Sequence, residues 1–131
     1  MRPRTFVLAG LLASVASAAA AHEYLIYYPP GVVEAPERYR PQVADVVIRC
    51  QGAVARVLVR THTDRVGTVE ANLKLSEARA EHMSNLLQAH GVSPRAIVLV
   101  PRGEAEPAVP TQDEVAEPLN HRTTLDVICG S

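Results

Sequence analysis

An acid, an amide and a base stand close together in the segment Thr61–Arg79, which reads THTDRVGTVEANLKLSEAR: Asp64, Asn72 and Arg79. Asp64 follows an alternating apolar run and precedes a helical pattern, so it sits on a strand-to-helix loop. A carboxylate there can accept hydrogen bonds from an ammonium. Its bland use is to cap the turn. Asn72, Leu75 or Ser76, and Arg79 recur at intervals of three, four and seven, so they share one helix face. Helical side chains lean toward the N-terminus, which aims Arg79 back at the Asp64 loop. Arginine offers a flat fork that holds a carboxylate by two parallel bonds. Together the three groups suit a ligand that carries both an ammonium and a carboxylate. Charge-assisted bonds contribute about 1.5–3 kcal/mol each, so two or three give micromolar-range binding after association costs. The alternative is an Asp64–Arg79 ion pair with no ligand, which adds little stability if exposed.

The elements that must position these groups can be read from periodicity. Val54–Arg60 alternates, with Ala55, Val57 and Val59 on one face and Val54, Arg56, Leu58 and Arg60 on the other. A helix starts near Thr68, an acceptable N-cap with Glu70 in the first turn, and ends at Gly91. Leu73, Ala80, Met83, Leu86 and Leu87 are its expected buried side. Upstream, Glu23–Tyr28 (EYLIYY) reads as a strand closed by Pro29-Pro30-Gly31. A first helix opens at Pro41, carries the stripe Val43, Val46, Val47, Cys50, and stops at Gly52. Downstream, Ala96–Val100 is a short apolar strand, Arg102–Asn120 a long Pro- and acid-rich loop, and Arg122–Cys129 a closing strand. The order is strand, helix, strand, helix, strand, strand. It predicts an α+β or α/β sandwich with two helices on one face of a mixed sheet. Right-handed crossovers should connect its parallel strands.

The 131 residues suffice for one domain with one core. Basic Met1–Arg4, apolar Phe6–Ala16 and small Ala18–Ala21 have the layout of a secretory signal, with cleavage expected between Ala21 and His22. The expected division is therefore 1–21 as signal and 22–131 as the folded domain. Losing Arg2 and Arg4 leaves 11 basic residues against 14 acidic, a net charge of −3. A mildly acidic exported domain is a poor partner for nucleic acid. The two cysteines, Cys50 and Cys129, can form a disulfide in an oxidising compartment or remain as two buried thiols. A bridge would stabilise by roughly 4 kcal/mol in the loop-entropy account.

Other chemistries have less support. His62-Thr63-Asp64 alone does not make a metal or catalytic site, since no further His or carboxylate cluster stands at ligand spacing. His62 is expected to pack or hydrogen-bond at a strand end, His82 and His90 to lie on a helix surface, and Glu104 and Glu106 to be solvated. No nucleophile elbow, phosphate-cradling glycine loop or catalytic acid pair is present. No enzyme activity, cofactor or metal is expected.

The residues Thr63-Asp64-Arg65-Val66-Gly67, then Asn72, Leu75-Ser76 and Arg79-Ala80, resemble the OmpA-like C-terminal domain family, whose signature runs roughly TD-x-x-G, N-x-x-L-S-x-x-R-A. Gly103-Glu104 with Pro107 resembles its GE-x-x-P element, and Asn120-His121-Arg122 its N-R-R element. The resemblance covers nearly the whole chain after the signal and is strongest over His62–Pro107. It implies a β-α-β-α-β-β fold with two helices on one face of a mixed four-stranded sheet, in agreement with the order read above. It implies non-covalent binding of peptidoglycan through the meso-diaminopimelate of the stem peptide. The ammonium would fall on Asp64 and the carboxylate on Arg79, with Asn72, Thr63 and Arg122 completing the site. The chain departs from the family at Thr61 and Pro101, where glycine is common, at the Pro29-Pro30-Gly31 turn, and at His121, which interrupts the double arginine. If position 61 needs a glycine angle, Thr61 displaces the loop.

Two classes of function follow. One is a binding module that holds an exported protein at the cell wall, in the periplasm or at the outer membrane. The other is a protein–protein interaction or scaffold module of the same fold without wall binding. An envelope protein is the expected partner if a second function exists. A hydrolase using His62 and Asp64 is the remote third reading.

Overall fold

The computed structural model describes residues 20–131. The expected signal segment, residues 1–21, lies outside the described residues except for Ala20 and Ala21. The strand β1 (Ala21–Tyr27) is followed by a 3-10 turn, Glu37–Tyr39, and helix α1 (Arg40–Arg49), with Pro41 in its first turn. Then come β2 (Val54–His62), α2 (Val69–Ala89), β3 (Ile97–Gly103) and β4 (Arg122–Cys129). Thr68 caps α2 by accepting the Ala71 N–H at 3.0 Å.

The sheet runs β1-β4-β2-β3. β4 pairs antiparallel with both β1 and β2, and β3 joins β2 in parallel. This is the expected α+β arrangement, a mixed four-stranded sheet with two helices. The alternation assigns the faces. Ile26, Val57, Val59, Leu125 and Val127 point inward and form one core with Val43 and Val46 of α1 and Met83 and Leu87 of α2. Both helices therefore cover the same side. On the other side Arg60 donates to Asp126 at 2.6 Å, and Val98 of edge strand β3 stays exposed.

Two elements differ from the sequence reading in a way that matters for function. β2 runs two residues past Arg60, through Thr61 and His62. Thr61 causes no displacement: it keeps strand geometry and its Oγ1 donates to the Ser76 carbonyl at 2.6 Å. On α2, Leu73 is 40 % exposed, whereas Asn72, Ser76 and Arg79 are buried. The N-terminal half of α2 faces the ends of β2 and β3, where backbone groups need polar partners. Ser76 Oγ meets that need by accepting the Gly103 N–H at 3.0 Å. The C-terminal half faces the apolar core, so Met83 and Leu87 are buried as the periodicity implies.

Cys50, at the end of α1, and Cys129, at the end of β4, are joined as a disulfide with a Cα–Cα distance of 5.0 Å.

Candidate functional site

The β2–α2 loop is shaped by its neighbours. Thr63 N–H donates to the Gly103 carbonyl at 2.8 Å, which ties the loop to the end of β3. Pairing between β2 and β3 slips there, since Thr61 faces Pro101 and His62 faces Gly103. Arg102 is the extra residue of this bulge. Gly103 itself has φ +57, and a Cβ on it would come within 3.2 Å of the Leu73 backbone. Only glycine lets β3 turn back onto α2 at this point.

That turn brings Glu104 inward, although the sequence suggests a solvated acid. Its carboxylate accepts from Asn72 Nδ2 at 2.8 Å, and its side chain is 11 % exposed. Asn72 also donates to the Asp64 and Val66 carbonyls at 3.2 and 3.1 Å. The amide thus fixes the loop that carries the acid.

Asp64 is 3 % exposed and lies in a hollow of about 290 Å³ whose walls include Pro30, Gly31, Val66, Asn72, Leu75, Ala116 and His121. Its Oδ1 accepts from Val66 N–H at 3.1 Å. Its Oδ2 takes Glu117 N–H at 3.3 Å and lies 3.1 Å from His121 Nε2. Arg79 stands behind His121, fully buried, and does not line the hollow. Its Nε donates to the Val32 carbonyl at 2.7 Å and its Nη2 to the Pro29 carbonyl at 3.2 Å. Nη1 reaches the His62 carbonyl at 3.2 Å and His121 Nδ1 at 3.1 Å. The guanidinium lies over the Tyr28 ring, 4.5 Å from its centroid. Burial lowers the Arg79 pKa to about 10, with Tyr28 and Asp64 opposing the shift.

The acid and the base therefore meet on one side of the domain, but through an imidazole and not directly. Thr63 and Arg122 are not brought to the hollow. Thr63 is buried and its Oγ1 donates to the Asp64 carbonyl at 2.9 Å, so it supports the loop. Arg122 is opposite His62 in the β2–β4 register and donates to the Glu106 carbonyl at 3.1 Å. The residue that sequence reasoning missed is His121. Its position in the family's N-R-R element was the available signal, because a residue one place before Arg122 must reach the other side of the sheet end.

The segment after β3 closes over the loop. Glu114 N–H donates to the Arg65 carbonyl at 2.9 Å, and Glu114 Oε2 accepts from Gly67 N–H at 3.2 Å. Arg65 Nη1 donates to the Thr111 carbonyl at 2.9 Å. A second hollow, of about 370 Å³, is lined by Arg65, Val69, Glu104, Ala105 and Pro107. Its acid and base lie 3.8 Å apart and are engaged elsewhere, Glu104 by Asn72 and Arg65 by the Thr111 carbonyl and Asp113, which leaves less for a charged ligand. Among the described residues no His, Cys, Asp and Glu cluster could hold a metal.

A sequence model of the OmpA family matches residues 33–121. The peptidoglycan-associated lipoprotein of Pseudomonas aeruginosa is 37 % identical over 75 residues, which are 57 % of this chain and 45 % of that protein. The protein of the same name from Haemophilus influenzae is 39 % identical over 71 residues, 54 % of this chain and 46 % of that protein. The chain thus spans about half the length of the curated relatives it matches. Among solved structures, the peptidoglycan-associated lipoprotein from Burkholderia pseudomallei superposes with a TM-score of 0.70 at 24 % identity, covering 79 % of this chain and 88 % of that one. The cell wall anchor of the T6SS from Pseudomonas aeruginosa gives 0.66 at 20 % identity, covering 84 % and 82 %. At these identities the two structures speak for the fold.

Proposed function

The chain belongs to the OmpA family, and from that premise we propose that it binds peptidoglycan non-covalently through the meso-diaminopimelate of the stem peptide, tethering to or sensing the cell wall from the periplasm. The relatives' names, which speak of peptidoglycan and of a cell wall anchor, support the class of ligand. One observation in this chain carries the reading: a buried carboxylate, Asp64, opens onto a small hollow with apolar walls. The ligand's ammonium falls on Asp64, and its methylenes run along Pro30, Val66 and Leu75.

The ligand's carboxylate falls to Arg79, at a structural cost. Arg79 Nε and Nη2 are engaged by the carbonyls of Val32 and Pro29. A carboxylate must displace one or both, exchanging neutral acceptors for a charged, bidentate one that binds about twice as strongly per bond. The Pro29–Val32 segment therefore shifts on binding. The protein is read as a binding module and not an enzyme.

Titration of the protein with the stem tetrapeptide L-Ala-γ-D-Glu-X-D-Ala, with X either meso-diaminopimelate or lysine, separates the two halves of the site. With the α groups of X held in peptide bonds, lysine keeps the side-chain amine and lacks the carboxylate beside it, so its peptide should bind about 10-fold more weakly or worse if Arg79 reads that group. Asp64→Asn should abolish both interactions and the retention of the protein on purified sacculi. Retention that survives Asp64→Asn would overturn this site and leave wall association through another surface, whereas no retention of the unsubstituted protein would support a scaffold module of the same fold without wall binding. Arg79→Ala is a poorer probe, since it leaves buried acceptors unpaired and is expected to cost about 3–5 kcal/mol of stability.

Export is part of the proposal. Intact mass of the exported protein should place its first residue at His22. Cleavage there removes the Ala21–Ile128 pair and the bond from Cys129 N–H to the Ala20 carbonyl, leaving His22 opposite Val127 as the first pair of the sheet.

A further inference from the structure

His121 stands where the family's element has an arginine, and the structure fixes its protonation state from both sides. The ring is 3 % exposed. Nδ1 lies 3.1 Å from Arg79 Nη1, and Nε2 lies 3.1 Å from Asp64 Oδ2. A guanidinium has donors only. Nδ1 must therefore present its lone pair, and the one ring proton sits on Nε2, where it is donated to Asp64. The ring is neutral. Asp64 is thus held by three N–H donors, those of Val66, Glu117 and His121, none of which is a cation. The charge of Arg79 is kept one ring's width away. The carboxylate is oriented without being neutralised.

We propose that His121 is the positioning residue that keeps Asp64 available to a ligand's ammonium, and that protonation of its ring closes the site. This inference rests on the amine-site reading given above. A second ring proton would have to sit on Nδ1, facing Arg79 Nη1 across a 3.1 Å contact. Two donors cannot share that contact, so the ring or the guanidinium must move. The imidazolium then pairs with Asp64 and competes with the ammonium for the same oxygen.

The groups that face the ring come from every element around it. Asp64 comes from the β2–α2 loop and Arg79 from α2. Tyr28, just past β1, supports the Arg79 guanidinium with its ring and donates its backbone N–H to the His121 carbonyl at 2.9 Å. Glu117 gives its backbone N–H to Asp64, while its carboxylate accepts from Leu119 N–H at 3.2 Å. Burial has the largest effect on the ring and holds its pKa below the ordinary histidine value; Asp64 opposes this and Arg79 adds to it. The site is therefore open near neutral pH and closes only as the pH falls below the ordinary histidine range.

Calorimetric titration with meso-diaminopimelate at about pH 7.5 and about pH 5 tests this, with the wild type, His121→Gln and Asp64→Asn compared. Glutamine can accept from Arg79 and donate to Asp64 but takes no proton. The quantity read is each protein's ratio of affinities at the two pH values. On acidification the wild type should lose at least about threefold more affinity than His121→Gln. By linkage, a threefold loss requires the ligand to lower the His121 pKa by at least about half a unit, which imidazole nitrogen NMR can follow. The same spectrum should show the Nε2–H tautomer without ligand, whatever becomes of the glutamine variant. Parallel loss in wild type and His121→Gln, or a proton on Nδ1 near neutral pH, overturns the role of His121. If Asp64→Asn still abolishes binding in that case, the amine site stands. No binding by the wild type at either pH overturns both.

Discussion

His62 ends β2 with its Nδ1 buried and unpartnered. Burial first, and then the guanidinium groups of Arg122, Arg60 and Arg102, pull its pKa down to about 4. The unfolded chain holds a proton on this ring up to about pH 6.5. Between those values the unfolded state binds more protons than the folded one, so stability falls as pH drops from about 6.5 to about 4. A displacement of that size corresponds to about 3 kcal/mol lost across that window. Urea unfolding at the two ends should show the loss, and His62→Gln should remove most of the slope. His121 has the same sign and adds to it. Gly103 is a residue with a single tenable identity. Gly103→Ala meets both a φ of +57 and the backbone of Leu73 at 3.2 Å, and should cost about 1–3 kcal/mol of stability, read as a lower denaturant midpoint.

The segment between β3 and β4 is an element in its own right, although it has little regular structure. Asn120 anchors its far end, accepting Val109 N–H and donating to the Val109 carbonyl, both at 2.8 Å. Glu114 pins its middle in a left-handed conformation, φ 60, which costs a non-glycine residue of order 1 kcal/mol. That conformation is kept because both the N–H and the carboxylate of Glu114 bond to the Asp64 loop. Glu114→Ala keeps the unfavourable angle and loses the carboxylate bond to Gly67. Hydrogen exchange at the Gly67 amide should then quicken by about fivefold to tenfold, a loss of about 1 kcal/mol. Exchange unchanged in the variant would show that the segment is held by its backbone alone. The same segment supplies the Glu117 N–H to Asp64, so loosening it should also be visible in ligand dissociation rates.

For the molecule as a whole, the sheet and both helices share one core, and the Cys50–Cys129 bridge ties the end of α1 to the last strand. The sequence separation is 79 residues, and closing a loop of that length should stabilise by about 4 kcal/mol in the chain-entropy account. Replacing both cysteines by alanine should lower the unfolding free energy by that order. The fold should survive, because the apolar core does not depend on the bridge. A loss below about 1 kcal/mol would mean that the reduced chain already keeps these ends together when unfolded.

By itself the sequence determined the succession of strands and helices. Alternation in Val54–Arg60, the spacing of Met83 and Leu87, and the stops at Pro29-Pro30-Gly31, Gly52 and Gly91 are local facts, and local backbone preferences act on them directly. It also placed Asp64 on a strand-to-helix loop. What it left undecided were the long-range meetings. Periodicity says which residues share a face, not what that face will touch. Leu73, expected on the buried side, is exposed while Ser76 is buried, because the start of α2 meets strand ends and not the core. Arg79 is buried behind a ring because β4 inserts between β1 and β2, which carries His121 into the same hollow, beside Asp64. A partner so distant along the chain leaves no trace in spacing, since only the closure of the sheet brings it within a hydrogen bond's reach.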